Sequence, residues 1–242
     1  MTREPLFPPL LSGEAVSRAI DPFEKAISLA TLGCDAGTIV YNINTDHLRA
    51  AFIFAPEVCL EQAAAMMIAC GVGFSNALGA LAPPEVAVHL EWHGQILVNG
   101  AKCGELKMAA SVDDPDAMPD WLVVGLEVPL FPQNQDGGLT PDITTLFEEG
   151  CAEVNPVELL EGWSRHCLVW INRWSDDGAV PLHAEWRSKA HLLGEEVTTT
   201  LNGAPVTGTF LGVDEDFGML LRSGKSTHIK PLSSLVNLKE TP

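Results

Sequence analysis

The stretch from Leu60 to Leu81 constrains this chain most. It is crowded with Ala, Met and Gly, and Ala82-Pro83-Pro84 stops it, so it reads as the longest buried helix. Small side chains allow close approach, and the helix is predicted to lie tightly on a sheet. Gly71, Gly73, Ser75, Asn76 and Gly79 interrupt the apolar run, so it does not read as a membrane span. Strands for the partner sheet lie on both sides of it. Thr38 to Tyr41 and His47 to Ala55 are predicted to pair across the polar turn Asn42 to Asp46. Val86 to Trp92, Gln95 to Val98, Cys103 to Ser111 and Trp121 to Val128 follow as strands.

Upstream, Glu4 to Gly13 is predicted to run extended along the body. Asp21-Pro22 then starts a helix, with Asp as N-cap and Pro in the first turn, and Phe23, Ala26, Ile27 and Ala30 recur at helical spacing. Downstream, Asp113 to Asp120 is an acidic loop and Phe131 to Leu139 a second loop. From Pro141 the period becomes helical: Ile143, Leu146, Phe147 and Cys151 share one predicted stripe. Further helices are predicted from Pro156 to about Asp176 and from Pro181 to about Ala190. At Gly194 the composition changes again. Four or five short strands, two of them joined by Asn202-Gly203, predict a small β-barrel appendage. The expected fold is α+β, with a larger domain over 1–193 and a small β domain over 194–242.

A chain of 242 residues, 46% hydrophobic, is long and apolar enough to bury a sizeable core. Its 14 Lys and Arg against 32 Asp and Glu leave a net charge of −18. That field repels phosphate backbones and anionic lipid, so neither nucleic acid nor a membrane surface is expected as a partner. The six cysteines are scattered without a CxxC pair, and no signal-peptide core follows Arg3. Reduced thiols in a cytoplasmic protein are expected.

Against this acidic background one cation stands out. Lys102 lies in Asn99-Gly100-Ala101-Lys102-Cys103-Gly104, where two glycines lack the Cβ that would hold a ligand off. An ammonium so placed suits a carboxylate or phosphate. The same residues also describe a β-hairpin with an Asn-Gly turn and a lysine in water. His89, His93 and Cys103 fall on adjacent predicted strands, but Gly94 disturbs their geometry and partner carboxylates are missing, so no metal site is expected.

Trp92-His93-Gly94-Gln95-Ile96, a turn, then Lys102-Cys103-Gly104-Glu105-Leu106 resembles the Trp-Pro-Asn-Asp-Ile and Lys-x-Gly-Gly segment of biotin protein ligases. Trp92, Ile96, Lys102, Gly104 and Leu106 carry the match. Leu48 to Pro56 followed by Leu60-Glu61-Gln62 resembles the family's preceding strand and helix, and Trp121 to Val128 its Val-Ile-Gly-x-Gly-Ile-Asn strand. Gly208 to Val213, Asp214 to Leu221 and His228-Ile229-Lys230-Pro231 are similar to the C-terminal domain of bacterial members. The resemblance covers almost the whole chain. It implies a biotin/lipoate protein ligase fold, a mixed sheet packed by helices followed by an SH3-like β-barrel.

The implied activity joins a small carboxylic acid (biotin, lipoate or octanoate) to a lysine of a carrier domain, using ATP and Mg, or transfers it from a pre-activated donor. The alternative is a non-catalytic relative that binds a small carboxylate or a carrier domain. Lys102 is the implied catalytic residue, with Trp92, Asn99, Gly100, Gly104, Gly125 and Arg49 at the substrate. Some members of the family form homodimers through the sheet, and this chain is expected to be able to do the same.

The departures are specific. No Gly-Arg-Gly loop lies between Tyr41 and Leu48, and Asp21-Pro22-Phe23-Glu24 stands where the family has Asp-Ser-Thr-Asn. His93-Gly94-Gln95 replaces Pro-Asn-Asp, Glu105 replaces a glycine, and Glu127 replaces an asparagine. Loss of one donor aimed at developing charge costs about 3–4 kcal/mol. Together these losses predict negligible ATP-dependent biotinylation unless other groups substitute, His47, Arg49 and His93 being nearest in sequence.

Overall fold

Asp21 caps the first helix as its position predicts: its carboxylate accepts from the Phe23 amide at 2.8 Å, and Pro22 fills the first turn. The computed structural model of the chain describes residues 3–132, 142–201 and 203–236. Helix α1 (Pro22–Thr31) lies on one face of a seven-stranded sheet. The strands are β1 (Ser12–Ala15), β2 (Thr38–Ile43), β3 (His47–Phe54), β4 (Val88–Leu90), β5 (Gln95–Val98), β6 (Ala101–Ala110) and β7 (Leu122–Pro129). Their order is β1-β2-β3-β7-β6-β5-β4, with β1 parallel to β2 and every other neighbour antiparallel. Of the segment Glu4 to Gly13 expected to be extended, only Ser12 and Gly13 enter the edge strand β1.

The other face carries the long apolar helix. It forms as α2 (Leu60–Ala63) and α3 (Ala65–Leu81), with a break at Ala64. By length and composition Leu60–Leu81 could cross a membrane, yet 78% of that window is buried within the protein, so it acts as a core helix. Its small residues are used against α4 (Pro156–Asp177). A Cβ on Gly73 would meet Cys167 Sγ at 2.8 Å, and one on Gly162 would meet the Ala77 Cβ at 3.3 Å. Trp163, fully buried, donates its indole N–H to the Cys70 carbonyl at 3.0 Å. Helix α5 (Ala179–Lys189) follows directly.

The stripe expected from Ile143 to Cys151 is not a helix. Ile143 bridges to Lys102 as extended backbone and residues 146–150 form a turn, while Ile143 and Phe147 stay exposed. The apolar spacing there serves a β-bridge and a turn. Most of the loop expected over Phe131 to Leu139, together with Pro141 and Asn202, lies outside the described residues.

The C-terminal part forms β8 (Glu196–Leu201), β9 (Ala204–Val213), β10 (Met219–Ser223) and β11 (Ser226–Lys230), an antiparallel sheet of order β11-β10-β9-β8. It is consistent with the SH3-like domain expected. Lys230 on β11 donates to Thr199 Oγ1 on β8 at 3.1 Å, although the two strands lie at opposite edges. In a flat sheet those edges would stand roughly 14 Å apart, so this sheet curls on itself. It is tied to the rest by the buried Trp92, whose indole N–H donates to the Phe217 carbonyl at 2.7 Å, and by Trp186 packed edge-on against Phe210.

Candidate functional site

Cross-strand partners share a face, so the sheet register alone assembles a polar row. Asn42, Arg49, Glu127, Glu105 and Gln95 are partners in turn across β2, β3, β7, β6 and β5. The next row holds Val40, Ala51, Gly125 and Lys107. Both rows lie on the face opposite α3 and α4, where α1 covers the apolar end of the same sheet with Phe23, Ala26, Ile27 and Ala30.

Electrostatics organise the row around Glu127. The Arg49 guanidinium donates to its Oε1 from Nε at 2.9 Å, and Nη2 stands 2.8 Å from the same oxygen. His47 Nε2 stands 3.7 Å from the same oxygen, and Lys107 Nζ stands 4.0 Å from Oε2 and 3.5 Å from Glu105 Oε1. At the margin His47 Nδ1 meets Asp46 Oδ2 at 3.5 Å, and Arg18 Nη2 meets it at 2.9 Å. Burial pushes the Asp46 carboxyl up, but a backbone hydrogen bond, Arg18 and His47 together outweigh it and hold the group below its ordinary value.

Lys102 sits at the start of β6, beyond a bulge. Ile96 faces Gly104 and Leu97 faces Lys102, so Cys103 is the extra residue. Cys103 is fully buried in the helix-side core, and alternation turns the exposed Lys102 to the polar face. Among the described residues no carboxylate lies within 4.0 Å of its ammonium. Its backbone is fixed by the neighbouring extended segment: the Lys102 amide donates to the Asp142 carbonyl, and the Thr144 amide donates to the Lys102 carbonyl, each at 2.9 Å.

The other residues singled out in the sequence fall into separate places. Asn99 and Gly100, with φ of 51° and 92°, form the two-residue hairpin turn between β5 and β6. The Asn99 side chain is further engaged, accepting from the Ala87 amide and donating to Glu149. A Cβ on Gly104 would stand 2.7 Å from the Glu127 carbonyl oxygen, so this glycine lets β6 approach β7 at the bulge. The close approach that Gly125 permits is taken by the protein itself: a Cβ there would meet the Phe23 ring at 2.6 Å. Lys107 Nζ in turn lies 5.7 Å from the centre of that ring. Trp92 is buried at the junction with the small sheet. His89 and Cys103 face opposite sides, because His89 pairs with Leu97 whereas Cys103 joins the helix-side core. His93 pairs with Glu91 at 3.2 Å, so the three residues do not converge on one metal.

On this polar face Lys107 is a residue that sequence alone does not single out, whereas Gln95, Glu105 and Glu127 stand where the family resemblance expects other residues, and Phe23 of α1 packs over Gly125. A signal for them existed. Glu105 and Lys107 alternate with Leu106 and Met108, which marks one face of β6 as polar.

Comparison with known proteins shows the family. Residues 7–188 match the family model described as the biotin/lipoate A/B protein ligase family, and residues 193–237 match a domain of unknown function, DUF4444. A biotin–[acetyl-CoA-carboxylase] ligase of Paracoccus denitrificans is 25% identical over 185 residues, spanning 76% of this chain and 77% of the relative. The crystal structure of a biotin protein ligase-like protein of unknown function from a Silicibacter species is 57% identical, covers 97% of this chain and 100% of its own, and superposes with a TM-score of 0.89. A mutant biotin protein ligase of Aquifex aeolicus in complex with biotin shares the fold, with a TM-score of 0.73 at 18% identity over 92% of this chain and 96% of its own. With its family model matched over most of its length and the expected sheet and helix order in place, this chain belongs to the biotin/lipoate A/B protein ligase family.

Proposed function

We propose that this chain binds a small carboxylic acid in activated acyl form on the polar face of β6 and passes the acyl group to a lysine of a carrier domain. One observation carries the reading. Lys102 presents an ammonium without a carboxylate partner among the described residues, while Arg49 and Lys107 are held by Glu127 and Glu105. In the proposed reaction the carrier amine attacks the acyl carbon, an amide C–N bond forms, and the bond to the donor breaks. The leaving group departs with the electron pair, and the proton released from nitrogen neutralises it. Lys102 stabilises the oxygen that gains negative charge. Because only the tight turn Asn44 to Asp46 joins β2 to β3, transfer from a thioester donor fits better than activation by ATP.

The Paracoccus relative's name and the complexes of the Aquifex enzyme with biotin and ATP make biotin and ATP the first pair to test. The six free cysteines agree with a cytoplasmic setting for the reaction. A second reading, a binder without turnover, is favoured by Phe23, whose ring occupies the space above Gly125. Incubation with apo carrier domains and either biotin or lipoate plus ATP, or an octanoyl carrier, separates the two. A mass increase on a carrier lysine supports transfer; saturable ligand binding without that increase supports the second reading.

A further inference from the structure

A cleft of about 500 Å³ opens where the turn after β4 meets the small sheet, lined by Trp92, His93, His191, Thr199, Phe210 and Lys230 among others. That volume lies within the range typical of small-molecule sites, roughly 300–1,000 Å³. None of Arg49, Lys102, Lys107 and Glu127 lines it. Its walls come from both matched regions, so an occupant would touch the larger domain and the small sheet at once.

Lys230 gives the cleft its chemistry. It is the one half-buried residue of β11, the other four being exposed, and it lies opposite the buried Met219. Its ammonium stands 5.6 Å from the centre of the Trp92 ring and donates to the Thr199 hydroxyl at 3.1 Å. Among the described residues no carboxylate comes within 4.0 Å of it. Burial accordingly pushes its pKa down, with no opposing ion pair to offset the lost solvation. The nearby acids are otherwise placed: Glu91 is paired with His93, and Glu196 is exposed at the rim. Thr199 accepts from Lys230 and keeps its own hydroxyl proton to donate. One ammonium and one hydroxyl donor above the apolar Val197, Phe210 and Met219 match a single carboxylate with an apolar body. A multiply charged phosphate suits the cleft less, with Glu91 and Glu196 beside it and a chain charge of −18.

We infer that this cleft is a second ligand site, taking a small organic monocarboxylate through Lys230 and Thr199 while its apolar body rests on the small sheet. The inference is independent of the role assigned to Lys102. Benzoate is the probe, with uncharged benzyl alcohol as its control, titrated calorimetrically into the full chain and followed by thermal unfolding. Saturable benzoate binding that raises the unfolding temperature is expected. Lys230→Met should weaken it by roughly tenfold or more, and Thr199→Val severalfold. Lys102→Ala should leave it unchanged, and benzyl alcohol should bind far more weakly. Absence of saturable benzoate binding at millimolar concentrations would overturn the inference. So would equal affinity in the folded Thr199→Val and Lys230→Met variants, or a loss confined to Lys102→Ala.

Discussion

Gly125→Ala tests directly whether Phe23 fills the space that a ligand would otherwise share. The backbone at Gly125 is ordinary strand, so an alanine meets no dihedral penalty, and its Cβ would stand 2.6 Å from Phe23 Cδ2 and 3.2 Å from Cγ. Phe23 is 6% exposed and wedged among Ala51, Ile53, Ala109 and Val123, so its ring cannot swing away freely. Overpacking of this kind costs about 1–3 kcal/mol. In a chain of this size each kcal/mol lowers the unfolding temperature by roughly 2–4 °C. Phe23→Ala alone should cost about 3–5 kcal/mol through lost burial and the cavity left behind. In that background the clash is absent, and alanine in a strand is about 0.5–1 kcal/mol better than glycine. Gly125→Ala should therefore become neutral or stabilising once Phe23 is truncated. A double-mutant cycle by urea denaturation should give a coupling of about 1.5–3 kcal/mol, the double variant being more stable than the sum of the singles. A harmless Gly125→Ala, or strictly additive effects, would refute the packing argument.

Other expectations follow from single contacts. Glu127→Ala frees the Arg49 guanidinium; it should cost roughly 1 kcal/mol in denaturation and make inorganic phosphate bind measurably where the parent does not. Trp92→Phe removes the donor to the buried Phe217 carbonyl and should cost about 1–3 kcal/mol, read as a lower urea midpoint. Glu61 and Asp216 are both pushed up, first by burial and then by neighbouring carboxylates, Asp216, Asp116 and Asp214 for Glu61, and Asp214 and Glu215 for Asp216. A carboxyl whose pKa is raised by folding stabilises the fold in acid, and that contribution is lost as pH rises from its ordinary value through the raised one. Asp216→Asn should thus be stabilising at neutral pH and without effect in acid below the ordinary carboxyl range, as thermal melts across pH would show.

Much of the fold was written in local patterns. The Asp21-Pro22 cap, the Asn99-Gly100 turn, the apolar run of α3 and the extent of α4 each depend on a few neighbouring residues, and each formed where expected. The stretch from Ile143 to Cys151 misled because its apolar spacing also suits a bridge to Lys102, a contact set by distant residues. The candidate site was only half legible for the same reason. Lys102 announced itself by local composition, whereas the union of Arg49, Glu127, Glu105 and Lys107 depends on register across β3, β7 and β6. Trp92 and Lys230 were visible separately; only the packing of the small sheet against the β4 turn brings them together.

The central claim is that Lys102 serves acyl transfer. Its most direct test is single-turnover transfer from an octanoyl carrier to an apo carrier domain, followed by mass spectrometry, for the parent chain and for Lys102→Ala. An amide on the carrier lysine, formed about 100-fold more slowly by Lys102→Ala, is the predicted result. Transfer at an unchanged rate in Lys102→Ala, or no transfer by the parent from any acyl donor, would contradict it.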